Sequence, residues 1–522
     1  MVVVKRALLS CHDKRGLDVF ARELAKLGVE LIASGGTADF LKQQGLKIQT
    51  VEEFAGITGQ LDGRVKTLHP KIHAGILARR DDPAHVRAVG ADGLIDLVVV
   101  NLYPFQETVQ RPGVSLPEAV EQIDVGGVAL LRAAAKNFPH VAVVCQPQQY
   151  ATVAEALHRG KGRLPPSLVQ RFAVTAFDLT SAYDASVASY LTSSVSPRSS
   201  SSHTGSESPG LPDAASISVR KRQPLRYGEN PHQQGAWYVP ASGPVRGVGT
   251  LTQLQGKGLS YNNLLDIDAA LRCLLDFDEP ACVIIKHSAQ CGLASRATIL
   301  EAYQQAYACD SESAFGGIVG VNRPIDMPLA EQLTSTFLEV IMAPAVEPDA
   351  APLFQKKPNL RLVTLEWPSR SSTEPEWRHL LGSWLLQAAD TATVDLLQLA
   401  TKRAPTERER SDLLFAWKAA KHVKSNGIVI ASRRATVGIG QGQPSRVGSV
   451  RLAIQKAGTK SVDAVAASDG FFPFPDGVEL LAKAGVTAII QPGGSIRDPE
   501  VIAAADAAHL AMLITGVRHF RH

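Results

Sequence analysis

Cysteine is scarce in this chain, with six in 522 residues, and no two stand as CxxC or at zinc-ribbon spacing. That argues against a disulfide-built secreted fold, so Cys11, Cys145, Cys273, Cys282, Cys291 and Cys309 are expected to be free thiols of a reducing compartment. An excess of one charge sign is also missing: 54 Lys and Arg stand against 50 Asp and Glu, a formal +4. So small a balance gives no general case for nucleic acid or a membrane surface, and basic clusters must be judged locally. Long apolar runs are absent. MVVVKRALLS is too short for a signal peptide and no later segment would span a bilayer, so a cytoplasmic protein is expected. There is no Walker A loop and no GxGxxG, so nucleoside-triphosphate and dinucleotide chemistry lose support. The HxE and PCxxC pattern of zinc deaminases is missing too, and no catalytic metal is expected.

What is there is ordinary soluble-protein composition, 45% hydrophobic and 20% charged, at a length that calls for two to four domains. Residues 1 to about 150 alternate strand-like and helix-like stretches. Strands are expected at Val2–Ser10, Val29–Ala33, Leu94–Val100 and His140–Val144, with helices over Arg15–Leu27, Ala38–Gln44 and Val128–Asn137. That is the pattern of an α/β domain with a mainly parallel sheet, whose ligand sits beyond the carboxyl ends of the strands. The first domain is taken to run over 1–191. The Ser-rich stretch TSSVSPRSSSSHTGSESPG opens a linker, 192–214, that cannot bury enough apolar surface to order itself. The remainder, 215–522, reads as one long α/β region with no visible internal repeat and a candidate subdomain break at 366–379.

Chemistry-bearing residues gather in several loops. Leu61–Gly75 packs Arg64, Lys66, Lys71, His69 and His73 among glycines and shows no helix or strand period, so it reads as a loop suited to an anion. Its plainer reading is a solvated basic loop. Ser34-Gly35-Gly36-Thr37 lies at a strand-to-helix turn, where free backbone N–H groups and the helix dipole favour phosphate, although most Gly-Gly turns are only turns. Asp124 before Gly126-Gly127 is either a site residue or an N-cap, and Lys136 is either a site residue or a C-terminal helix cation. Tyr103 beside Pro104 is a site residue or packing. Further on, Val283-Ile284-Ile285 reads as a strand delivering Lys286 and His287 at its end. A Lys beside a His gives a general base whose proton affinity its neighbour lowers.

The joint presence and order of these segments resembles the bifunctional purine biosynthesis family that joins IMP cyclohydrolase to AICAR transformylase (AICAR being aminoimidazole carboxamide ribonucleotide). The motifs are LDGRVKTLHPKIHAGIL, VVVNLYPF, LRAAAKN, LRYGENPHQ, LSYNN, SAFGGIV, FAWK…KHVKSN, FFPFPDGVE, QPGGSIRD and TGVRHFRH, and they cover nearly the whole chain outside the linker. The resemblance implies a methylglyoxal-synthase-like amino-terminal domain and, after the linker, two zinc-free cytidine-deaminase-like α/β subdomains working as a homodimer. It implies formyl transfer from the cosubstrate 10-formyltetrahydrofolate to AICAR in the second part, then dehydrative closure to IMP in the first. The motif matches carry Lys286, His287 and Asn426 to formyl transfer, with Arg226, Tyr227, Asn263, Phe315, Gly316, Glu339 and Arg446 holding AICAR or folate. They carry Lys66, Tyr103, Asp124 and Lys136 to ring closure, with Lys14, Ser34, Gly36, Thr37, Arg64 and Thr67 binding the ligand or its phosphate.

The chain departs from the family pattern in places. Cys11-His12 replaces a usual Val-Ser, Val128-Ala129 a usual Pro-Thr or Pro-Ser, and Ser288-Ala289-Gln290-Cys291 a segment with Asn-Pro-Cys. Pro444 and Gly448 also differ around Ser445-Arg446. None of these removes an expected catalytic side chain, so they bear on affinity and loop geometry rather than on reaction type. Two other readings have less support. The amino-terminal domain could be a nucleotide-binding regulatory module without chemistry, against which Lys66, Tyr103, Asp124 and Lys136 argue. A nucleobase deaminase is disfavoured by the missing zinc ligands.

Overall fold

A computed structural model describes residues 1–56, 65–195, 211, 215–241, 243–368, 374–394 and 396–522. Arg64 and most of the Ser-rich segment therefore lie outside the described residues. The chain divides into two units, Met1–Val219 with Pro240–Gly243, and Arg220–Val239 with Pro244–His522.

The first unit is built on five parallel strands: β1 (Arg6–Cys11), β2 (Glu30–Ala33), β3 (Gln49–Thr50), β4 (Leu97–Asn101) and β5 (Ala142–Val144), in the order β3-β2-β1-β4-β5. Ala7–Leu9 and Leu97–Val100 are buried on both faces, which is why these strands read as unbroken apolar runs. The first strand is shorter than its sequence suggests. Val2–Val3 pairs instead with Arg163–Leu164, and the backbone N–H groups of Lys5 and Arg6 donate to Asp96 Oδ2 at 3.0 and 3.1 Å, which ends the run before β1 begins.

Helices cover both faces. In α1 (Leu17–Lys26), Leu17, Phe20, Ala21 and Leu24 form the buried stripe. Then come α2 (Gly35–Gln43), α3 (Pro70–Leu77), α4 (Gly126–Lys136) and the thirty-residue α5 (Pro166–Val195). Helix α5 continues through Val195, so the first residues of the expected linker are helical. Helix α3 corrects the reading of residues 65–75 as a loop: Lys66–Leu68 is a 3-10 turn and Pro70 opens a true helix. Its buried face is Ile72, Gly75 and Ile76, a helical spacing in which glycine counts as a contact residue. A Cβ on Gly75 would stand 2.3 Å from Gly93 O, so only glycine lets this helix lie against that chain.

The second unit holds a twelve-stranded sheet. Its first half is β6 (Thr252–Gln255), helix α6 (Tyr261–Leu274), the hairpin β7 (Ala281–Lys286) and β8 (Ala289–Ser295), helix α7 (Ile299–Tyr307), then β9 (Ile318–Val321), β10 (Val340–Ala343) and β11 (Arg361–Thr364). The second half repeats this: β12 (Gln398–Leu399), helix α8 (Glu407–Ala420), the hairpin β13 (Ile428–Ser432) and β14 (Ala435–Gly440), helix α9 (Arg446–Ala457), then β15 (Val465–Ser468), β16 (Ala488–Gln491) and β17 (Ala511–Ile514). The sheet order is β6-β11-β10-β9-β7-β8-β14-β13-β15-β16-β17-β12. Three strands of each half are parallel, and the edge strands β6 and β12 close them antiparallel. The halves meet where β8 pairs antiparallel with β14 at Ala294 and Ala435. The residues read directly show no such repeat, whereas the resemblance implies two like subdomains here. A hairpin, Glu376–Leu380 with Ser383–Gln387, separates the halves near the expected break at 366–379.

Candidate active sites

In the first unit the strand order reverses between β1 and β4, and beyond the carboxyl ends of these two strands lies the crevice position at which such sheets bind ligands. Asn101 ties its two walls together: Asp13 N donates to Asn101 Oδ1 and Asn101 Nδ2 to Asp13 O, each at 2.8 Å. The neighbouring α2 starts at Ser34, whose hydroxyl lies 2.7 Å from Ser10 Oγ and does not cap its own helix. Thr37 is buried, its Oγ1 bridging Cys11 N and O at 3.0 Å. The first-turn N–H groups of Gly35 and Gly36 are left for a ligand, and they carry the positive end of the helix dipole. Lys66 reaches this point, since a Cβ on Gly35 would lie 3.5 Å from Lys66 Nζ, and Glu52 Oε1 lies 3.5 Å from the same nitrogen.

The opening of α4 forms a further wall. Asp124 Oδ1 accepts from Gly127 N at 2.7 Å, and Oδ2 lies 3.4 Å from Tyr103 N. Asp124 N donates to Tyr183 Oη at 2.8 Å, so α5 supports this turn. Burial raises the Asp124 carboxyl, against the two backbone donors that lower it. Thr67 packs on Gly126, where a Cβ would stand 2.5 Å from Oγ1. Tyr103 is half exposed and meets His12 edge-on at 5.5 Å.

In the second unit, β7 delivers Lys286 to the tip of a hairpin whose two turn residues, His287 and Ser288, both have left-handed backbone, φ 55 and 58. Neither is glycine, and Asp266 on α6 holds the turn: its Oδ1 accepts from Ser288 N at 2.6 Å, and the His287 N–H also lowers its carboxyl, against burial that raises it. Lys286 Nζ donates to Phe315 O at 2.8 Å, beside the exposed Phe315 ring and the left-handed Gly316, φ 72. A second cluster surrounds Asn426. Arg446 donates to Asn426 Oδ1 at 2.9 Å, to Ser468 Oγ at 2.7 Å and to the fully buried Asp469 at 2.5 Å. Asn426 Nδ2 donates to the carbonyls of Gln443 at 2.9 Å and Pro444 at 3.2 Å. Gln441 Nε2 donates to Gln290 O at 2.9 Å, which ties this loop to β8.

Two family models match the chain: the AICARFT/IMPCHase bienzyme over residues 134–456 and the MGS-like domain over 16–129. The bifunctional purine biosynthesis protein PurH of Nostoc punctiforme is 48% identical over 528 residues, covering 100% of both chains. That of Trichormus variabilis is 47% identical over the same span, again covering 100% of both. This chain belongs to the AICARFT/IMPCHase bienzyme family. It therefore carries both the transformylase and the cyclohydrolase steps of purine biosynthesis. A solved chain described as "Crystal structure of ForH" is 37% identical over 36% of this chain and 98% of its own, with a TM-score of 0.34.

Of the residues expected in the bienzyme's first site, the crevice brings together Ser34, Gly36, Thr37, Lys66, Thr67, Tyr103 and Asp124. Lys14 lies on the loop after β1, and Lys136 stands exposed at the far end of α4, about 15 Å along the helix from Gly126. Of the expected residues in the second unit, Lys286, His287, Phe315 and Gly316 gather at the hairpin tip, while Asn426 and Arg446 are joined directly. Asn263 is a capping residue, its Oδ1 accepting from Ser260 N at 3.1 Å, but Asn262 beside it donates to Glu229 O at 3.3 Å. That bond anchors the loop of Arg226 and Tyr227 to α6. Glu339 is paired with the buried Arg361 at 2.7 Å. Sequence reasoning missed Asp266, Asp469 and Gln441. The one available signal for Asp266 was its place in the helix opened by the SYNN motif.

Among the altered positions, Cys11 is buried, with its Sγ 3.6 Å from Val99 O, and burial pushes its thiol up to about 11. Gly448 N donates to Ser445 Oγ at 3.2 Å, capping α9. Among the described residues all six cysteines are free and buried, and no helix is long and apolar enough to cross a membrane.

Proposed function

We propose that the hairpin tip of the second unit transfers the formyl group of 10-formyltetrahydrofolate to the 5-amino group of AICAR, and that the crevice of the first unit closes the product to IMP with loss of water. The observation that carries this reading is a His287 ring mounted beside Lys286 on a turn that Asp266 holds in place. The amine of AICAR is a weak nucleophile. His287 takes its proton as nitrogen attacks the formyl carbon, with the Lys286 ammonium beside it. The carbon–N10 bond then breaks, N10 takes up a proton in exchange for the one His287 removed, and tetrahydrofolate leaves. Asn426 holds the formyl or carboxamide oxygen, which requires its Nδ2 to exchange the 3.2 Å bond to Pro444 O for the substrate. Arg446 fixes the orientation of that amide. Arg226, Tyr227, Asn263, Phe315, Gly316 and Glu339 line the AICAR and folate sites.

In ring closure the carboxamide nitrogen attacks the formyl carbon and the oxygen departs as water. Lys66 stabilises the developing oxyanion, with Tyr103 and the half-buried Asp124 positioning the groups that exchange protons. Gly36, Ser34, Thr37, Thr67, Lys14 and Arg64 take the phosphate and ribose. Lys136 keeps its place in this set on the family resemblance alone. By the same resemblance the protein is a cytoplasmic homodimer acting on small molecules, with no catalytic metal and no nucleic-acid or membrane partner.

Product analysis by mass spectrometry after mixing the protein with AICAR and 10-formyltetrahydrofolate tests the whole reading. IMP is the expected product. Formylated AICAR accumulating alone would make the first unit a binding module, and unconsumed AICAR would remove Lys286 and His287 from their roles.

A further inference from the structure

The repeat in the second unit gives the transformylase hairpin a counterpart. Because β8 and β14 are equivalent strands paired antiparallel, a local two-fold relates the halves of the sheet. One constant offset along the chain carries Ser260 to Thr406, each the N-cap of its helix with a capping box, and Asp266 to Asp412. The same offset carries His287 and Ser288 to Arg433 and Arg434, whose backbones are also left-handed, φ 51 and 54. Asp412 holds this second turn as Asp266 holds the first, its two oxygens accepting from Arg433 N at 2.8 Å and Arg434 N at 2.6 Å.

The counterpart has lost the chemistry. Ser432 stands at the position of Lys286, Arg433 at that of His287 and Pro280 at that of Asn426, so it offers neither a proton acceptor nor an amide. What it has instead is charge. A cavity of about 470 Å³ is lined by Arg296, Arg408, Arg433 and Arg434 with Asp412 as its one carboxylate. Asp412 is already spent on the two backbone N–H groups. Glu279 lies 3.4 Å from Arg434 at an exposed position, while Arg296 bonds the carbonyls of Ser295 and Arg433, and Arg408 bonds Asp463 O at 3.4 Å. Burial and the neighbouring Arg434 lower the Arg296 guanidinium, Asp412 and Glu301 pulling the other way.

We propose that this pocket is a non-catalytic binding site for a small phosphate-bearing ligand. Four planar guanidinium forks, set against the committed Asp412 and the Glu279 paired with Arg434, leave about two positive charges unanswered, which suits a group of charge near −2, such as a phosphate ester, better than a single carboxylate. The volume falls in the range of small-molecule sites and exceeds a bare phosphate. Ser411 and Gln305 add neutral hydrogen-bonding groups, and the lining has no aromatic ring to stack a base. Recognition therefore rests on phosphate and its nearby oxygens.

The test is calorimetric titration of the full-length protein with inorganic pyrophosphate, comparing wild type with Arg408→Ala/Arg433→Asn. Asn tolerates the left-handed backbone at that turn, and Arg408 is exposed, so the variant should fold. Unchanged transformylase turnover checks this, because neither residue belongs to the reacting site. Wild type should bind one more pyrophosphate per chain than the variant, or bind it at least about tenfold more tightly at that site, with affinity falling as salt rises. Arg433→Lys should retain the site. Equal stoichiometry and affinity in wild type and variant would overturn the proposal. Citrate displacing pyrophosphate with equal affinity would overturn the assignment to phosphate.

Discussion

His287 and Ser288 sit in backbone conformations that ordinary residues enter at a cost, and the bonds to Asp266 offset it. Asp266→Ala removes an acceptor from a part-buried turn, a loss of about 1–3 kcal/mol that should appear as mobility of the imidazole. Transformylase kcat is expected to fall roughly tenfold or more while ring closure is unchanged. An unaltered kcat would show that the turn holds itself. In the first unit, Lys66 lies at the start of α2 whereas Lys136 lies at the far end of α4. Lys66→Ala should therefore depress ring closure far more than Lys136→Ala, measured on formyl-AICAR. Equal losses would place the end of α4 at the reaction.

At the scale of elements, the parallel strands of the first unit were legible because burial on both faces leaves them as unbroken apolar runs. Helix α3 was not, since Gly75 stands where the period demands an apolar residue and its contact is with a backbone oxygen. Helix α8 carries a pH-sensitive anchor at its start. Glu409 closes a capping box with Thr406 and takes Arg403 in a two-pronged pair at 2.8 and 3.0 Å. Burial alone would raise its carboxyl, but Arg403, Thr487 and the Thr406 backbone bring it down to about 2. A folded value below the unfolded value of about 4.3 means the contribution is complete above about pH 5 and is lost as pH falls towards 2. It amounts to roughly 3 kcal/mol. Urea unfolding between pH 6 and 2 should show this acid loss in wild type and a flatter limb in Glu409→Gln. Parallel limbs would remove Glu409 from the acid transition.

At the scale of the whole molecule, motif order identified the two activities without any structure, because ligand-binding loops keep unusual residues at strand ends. The internal repeat, implied by the resemblance, stayed hidden in the residues themselves for the opposite reason: its halves share topology, capping positions and one aspartate, while the residues at their turns, Lys-His-Ser against Ser-Arg-Arg, serve different ends. Asp266 and Asp469 were unreadable because each acts through a partner distant in sequence. The central claim is one chain with two separate reaction sites, one in each unit. It is tested most directly by assaying His287→Ala twice, once with AICAR plus 10-formyltetrahydrofolate and once with formyl-AICAR alone. The account predicts no formyl transfer in the first assay and wild-type conversion to IMP in the second. A folded variant that fails both assays would contradict it.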